Sequence, residues 1–149
     1  MALEQEVMQK MKEAMKAKDS VALASLRSIK SEILKAKTAT SSKEDMSEAD
    51  ELKLVQKLVK QRKDSAQTYK EQNRDDLAEA ELAEVKVIEQ FLPAQLSEEE
   101  IDKEVKSIIE DTGADSMKDM GKVMGLASQR LAGKADGKTI SKIVKENLS

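Results

Sequence analysis

Apolar positions recur at helical spacing along almost the whole chain. Leu3, Val7, Met11 and Met15 return every four residues and predict a first helix with one apolar stripe. Asp19 or Ser20 then caps a second helix that carries Leu23, Leu26, Ile29 and Ile33. No period persists from Thr38 to Asp45, which reads as a loop. Ser47, followed three residues later by Asp50, resembles a capping box and opens a pattern at Leu52, Val55, Val59, Arg62, Ala66 and Tyr69. A helix from about Ser47 to Gln72 spans roughly 38 Å at 1.5 Å per residue. Asn73 and Asp75 supply the turn into a fourth helix through Leu77, Leu82, Val85, Ile88 and Leu92, and the two helices are predicted to pair antiparallel.

Pro93 is the one proline and cannot continue that fourth helix. Ser97 with Glu100 forms another capping box, so residues 93–96 are expected to link an N-terminal helical domain (1–92) to a C-terminal domain (97–149). Beyond Ser97 the pattern predicts three short helices. Ile101, Val105, Ile108 and Ile109 mark the first, which stops at Gly113. Ser116 caps the second, where Met117, Met120, Met124, Ala127 and Leu131 share a face, with the methionines read as core filler. Gly133 ends it, and Asp136 caps a last helix through Ile140, Ile143, Val144 and Leu148. Strict apolar/polar alternation appears nowhere, so no strand is predicted and the fold class is all-α.

Composition narrows the chemistry. With one Phe, one Tyr, no Trp and eight Met in 149 residues, the core must be aliphatic. The absence of Cys and His removes disulfides, thiol nucleophiles and the commonest zinc ligands. No metal cluster, phosphate loop or nucleophile elbow is visible, and no cofactor is expected. The carboxylates lie in capping boxes and on helix exteriors, so no catalytic residue is assigned. The longest apolar run, Val21-Ala22-Leu23-Ala24, is too short to cross a bilayer, and the acidic start Leu3-Glu4-Gln5-Glu6 is unlike an export signal. These features lead to the expectation of a cytoplasmic protein without a membrane partner.

A net charge of −3 means that any polyanion must be met by a local patch. Lys138, Lys142 and Lys145 lie within about 60° of one another on the last helix, opposite its apolar face. Lys118 and Lys122 accompany the preceding helix, and Lys134 sits in the connection. Together these six lysines are the candidate RNA-binding residues, against the plainer reading of a solvated face. Gly121 and Gly125 stand one turn apart inside a helix, where each weakens it by about 1 kcal/mol relative to Ala. The commoner reason is a neighbouring helix crossing there; the functional one is close approach of a sugar-phosphate chain. Leu126 departs from the apolar face, as an exposed anchor or as a break in the helix. In the N-terminal domain Arg62 interrupts an apolar seam, and Glu81 is its expected ion-pair partner, with Arg27 and Arg74 as further members of such a network.

The segment Ser116-Met117-Lys118-Asp119-Met120-Gly121-Lys122-Val123-Met124-Gly125, with Gly133-Lys134-Ala135-Asp136-Gly137 and Ile140-Ser141-Lys142-Ile143-Val144, resembles the YqeY family. Its C-terminal part is similar to the tail of GatB, the B subunit of the tRNA-dependent amidotransferase. Leu26-Arg27-Ser28-Ile29-Lys30, Arg62-Lys63-Asp64-Ser65-Ala66, Arg74-Asp75-Asp76-Leu77-Ala78 and the stretch from Phe91 to Glu100 extend the likeness over essentially the whole chain. The resemblance implies a larger N-terminal helical domain and a three-helix C-terminal one. It also implies contact with the outer body of tRNA by the tail, with amide chemistry residing on other domains and another subunit. The chain departs from the GatB tail in carrying Asp136-Gly137 where Asn-Pro is more usual. The leading functional expectation is therefore a non-catalytic tRNA- or RNA-associating protein. The alternatives are a helical adaptor for a protein partner or a second copy and, ranked last, a carbon-nitrogen ligase using glutamine.

Overall fold

A computed structural model describes residues 2–39 and 46–149; residues 40–45, which hold most of the expected loop, lie outside the described residues. The chain is all-α. Its helices are α1 (Ala2–Ala17), α2 (Ser20–Ala39), α3 (Glu48–Glu71), α4 (Asp75–Glu89), α5 (Glu98–Thr112), α6 (Met120–Arg130) and α7 (Gly137–Leu148), with a 3₁₀ turn at Met117–Asp119 before α6. They divide into two compact units, Met1–Leu92 and Pro93–Ser149.

In the first unit, polar caps set where the helices begin. Ala22 N–H donates to Asp19 Oδ1 (3.0 Å) at the start of α2, and Asp50 N–H to Ser47 Oγ (3.1 Å) at the start of α3. The second helix runs through Thr38, so the expected loop begins later than its polar composition implies. Asn73, at φ +59, turns the chain from α3 into α4, and Arg74 N–H donates back to Tyr69 O (2.8 Å). Such a short connection makes α3 and α4 an antiparallel hairpin. Leu26, Ile29 and Ile33 of α2 meet Val55, Leu58 and Val59 of α3 and Val85 and Ile88 of α4 in one aliphatic core. Leu3, Val7 and Ala14 of α1 join it, whereas Met15 is exposed. A four-residue step drifts about 40° around a helix, so by the third step Met15 has left the stripe that Leu3 began.

The expected Arg62–Glu81 pair is corrected. Arg62 Nε lies 3.3 Å from Glu84 Oε2, one turn along α4 from Glu81 on the same face, and Arg62 Nη1 donates to Leu58 O (3.2 Å). Arg74 takes no part in this network, since its Nε and Nη2 grip the two oxygens of Asp76, both at 3.2 Å. Arg27 is exposed and pairs with no carboxylate among the described residues.

The second unit is a three-helix cluster around Val105, Ile108, Val123, Leu131, Ile143 and Val144, all almost wholly buried. Glu100 N–H donates to Ser97 Oγ (3.2 Å) and the hydroxyl returns to Glu100 Oε1, so Ser97 caps α5. Gly113, at φ +70, closes the same helix in the left-handed conformation. Residues 93–96 are tied into this unit. Leu96 N–H donates to Lys134 O (3.0 Å), and the Gln95 amide to Gly133 O (2.7 Å). Gly133, at φ +76, allows the turn that presents both carbonyls.

Candidate nucleic-acid interface

The C-terminal unit segregates its charge by helix. The fifth helix carries seven acids, three of them in its first turn, which suits the positive end of the helix dipole. The sixth contains none, and Glu146 is the only acid of the seventh. Lys138, Lys142 and Lys145 face water on α7, opposite Ile140, Ile143, Val144 and Leu148, which are buried. Lys118, Lys122 and Lys134 are exposed as well.

Most of these cations keep their charge uncompensated. Lys142 Nζ is 3.8 Å from Glu98 Oε1, a loose and exposed pair. Among the described residues no carboxylate pairs with Lys118, Lys122, Lys134, Lys138 or Lys145. The acids of α5 are in part occupied elsewhere: Arg130 bridges to Glu104 (3.7 Å) and Asp111 (3.8 Å), and Lys106 meets Asp102 at 2.9 Å. Asn147 Nδ2 donates to Asp102 Oδ1 (2.8 Å) and Ile143 O (2.8 Å), fixing the end of α7 against α5. That amide, assisted by Lys106, holds the Asp102 carboxyl below the usual aspartate range.

Gly121 and Gly125 overturn the favoured packing explanation. Both are exposed, and a Cβ built at either would meet nothing within 4 Å. Among the described residues no helix crosses there. The pair instead leaves a strip of bare backbone on the outer side of α6, with Lys122 and Gln129 to one flank. Helix α6 runs unbroken through Gly125, and Leu126 is an exposed apolar side chain beside that strip. Met117 also points to water, whereas Met120 and Met124 pack against the core as expected of filler. Spacing carries no signal for this orientation, because a glycine pair reads alike whether it faces a neighbour or solvent.

Asp136 caps α7 by accepting from Thr139 N–H at 2.6 Å, so Asp136-Gly137 performs the helix-starting role expected of that position. No cluster of three metal-ligating side chains exists among the described residues, and no described helix is long and apolar enough to span a membrane.

A family model described as "Yqey-like protein" matches residues 4–148. The chain belongs to the YqeY-like family. Among curated proteins it is similar to "Altered inheritance of mitochondria protein 41, mitochondrial" of Pyrenophora tritici-repentis, with 33% identity over 91% of this chain and 75% of that protein. The proteins of the same name from Kluyveromyces lactis and Lachancea thermotolerans are 36% and 37% identical over 69% and 66% of this chain. The chain spans only 56% and 54% of those two relatives' lengths. The cytoplasmic expectation is overturned by these relatives, each of which is named as a mitochondrial protein.

Proposed function

We propose that the C-terminal unit associates with the phosphate backbone of a folded RNA of the tRNA class, without catalysis of its own. Lys118, Lys122, Lys134, Lys138, Lys142 and Lys145 supply the point charges, and the bare backbone at Gly121 and Gly125 admits a sugar-phosphate strand to close range. The observation that carries this reading is the pair of open, exposed glycines in a helix free of acids. Glycine weakens a helix interior, and no packing contact in this unit repays it. The likeness of this segment to the GatB tail points the same way.

Fluorescence anisotropy with labelled tRNA tests the reading. Binding should weaken steeply with salt, each neutralised phosphate adding roughly 0.7–0.9 to the log–log slope. Replacing Lys138, Lys142 and Lys145 by Glu should abolish it. Absence of binding at low ionic strength would refute the proposal. A second reading, docking of a protein partner, draws on exposed Met8 and Met15 along α1 and Leu34 on α2. Stable co-purification with a protein and indifference to RNA would favour that reading instead.

A further inference from the structure

Helix α2 passes α3 on a face of small side chains. Ala24, Ser28 and Ser31 recur there at four- and three-residue steps, and too little volume projects from them to fill the space beside Leu58 and Gln61. A shallow, solvent-open groove of about 540 Å³ results. Ala24 and Leu58 are its two apolar residues, and the rest of its lining carries polar or charged groups.

Two arginines line this groove from different helices, Arg27 from α2 and Arg62 from α3, the latter donating from Nη1 to Leu58 O (3.2 Å). Arg27 has no carboxylate partner among the described residues. Arg62 is largely buried, and its Nε is a buried N–H that meets no hydrogen-bond acceptor among the described residues: Glu84 Oε2 is 3.3 Å away but not aligned to accept. Lys35 and Glu32, on the same rim, neutralise each other at 3.3 Å. Counting Glu84 against Arg62, the groove keeps the Arg27 charge in excess. The hydroxyl of Ser31 and the amide of Gln61 add donors. These donors exceed what the two oxygens of a carboxylate would use and match the oxygens of a phosphate, for which the guanidinium fork is well shaped.

We propose that the groove between α2 and α3 is a binding site for a phosphate group, clamped by Arg27 and Arg62. The group belongs either to a free phosphorylated small molecule or to an RNA backbone. This site is separate from the lysine face of the C-terminal unit and does not depend on it.

Titration of the full-length, isotope-labelled chain with inorganic pyrophosphate, followed by NMR, tests the site. The Arg62 Nε–H signal and the amides of residues 27–31 should shift in a saturable way. Arg27→Gln should weaken the affinity by about tenfold or more, and Ser31→Ala by less, as expected when a charged hydrogen-bond donor and a neutral one are removed. Both positions are exposed, so these variants keep the fold even if Arg62→Gln does not. Citrate in place of pyrophosphate should bind more weakly. If a short RNA displaces pyrophosphate from the same signals and Arg27→Gln weakens that RNA, the phosphate is that of a backbone. If RNA leaves the signals unmoved, it is that of a free ligand. Unshifted groove signals, or equal affinity in the Arg27→Gln variant, would overturn the proposal. Glu replacements at Lys138, Lys142 and Lys145 should leave pyrophosphate binding intact, so failure of the RNA reading would not count against this one.

Discussion

Replacing Gly125 by Ala should stabilise the C-terminal unit and, on the proposed RNA reading, weaken binding of tRNA. Gly125 is the sixth of eleven residues in α6, its φ lies outside the left-handed region, and an added Cβ meets nothing within 4 Å. The substitution therefore brings the full helix-propensity gain, about 1 kcal/mol, largely by reducing the freedom of the unfolded chain. Gly121, the second residue of α6, lies in the first turn, where the gain is smaller. If the unit of residues 93–149 melts on its own, 1 kcal/mol corresponds to about 8 °C in Tm, the upper end of the range because the unit is small. Urea unfolding followed by circular dichroism would measure the change as a shift in midpoint with unaltered slope. Anisotropy with tRNA would measure the second effect, since the added methyl group would stand where the proposal brings a sugar-phosphate strand. A fall in stability would refute the open-face geometry. A rise in stability with unchanged RNA affinity would refute the role given to the bare backbone.

Glu84→Gln should destabilise the first unit by about 1–2 kcal/mol, because Arg62 is left inside with its charge uncompensated, whereas Glu81→Gln should be nearly neutral; paired urea titrations would tell them apart. Ser97→Ala should lower stability by about 1 kcal/mol by uncapping α5, measurable by thermal melting. The hydrogen bond from Lys37 holds the Glu4 carboxyl below the usual glutamate range, with the Lys37 charge assisting. A depressed folded-state pKa contributes stability that is present above the unfolded value and lost as pH falls through the folded one. Stability should accordingly decline below about pH 5, and Glu4→Gln should flatten that decline in acid titrations of unfolding. By the same sign rule, Asn147→Ala should raise the NMR titration midpoint of Asp102, since the donor that depresses it is gone.

Helix boundaries were legible wherever a short polar side chain could satisfy a backbone N–H. Ser47, Ser97 and Asp136 each cap the helix that their spacing foretold, and Gly113 ends α5 in the conformation only glycine adopts freely. Local chemistry decides these features, so one sequence suffices. Partner choice across helices was less legible. Glu81 and Glu84 sit one turn apart, and whether Arg62 meets one or the other depends on the axial register of α3 against α4, to which periodicity is blind. The lysine face of α7 could be read from angle alone, while the outward direction of Gly121 and Gly125 could not. The groove beside Arg27 and Arg62 was equally hidden, since it arises where two helices leave space between them.

The two aliphatic clusters, one ending at Ile88 and the other beginning at Ile101, share no buried residue among those described. Each half therefore carries an interior of its own, the property that lets a stretch of chain behave as a transferable cassette.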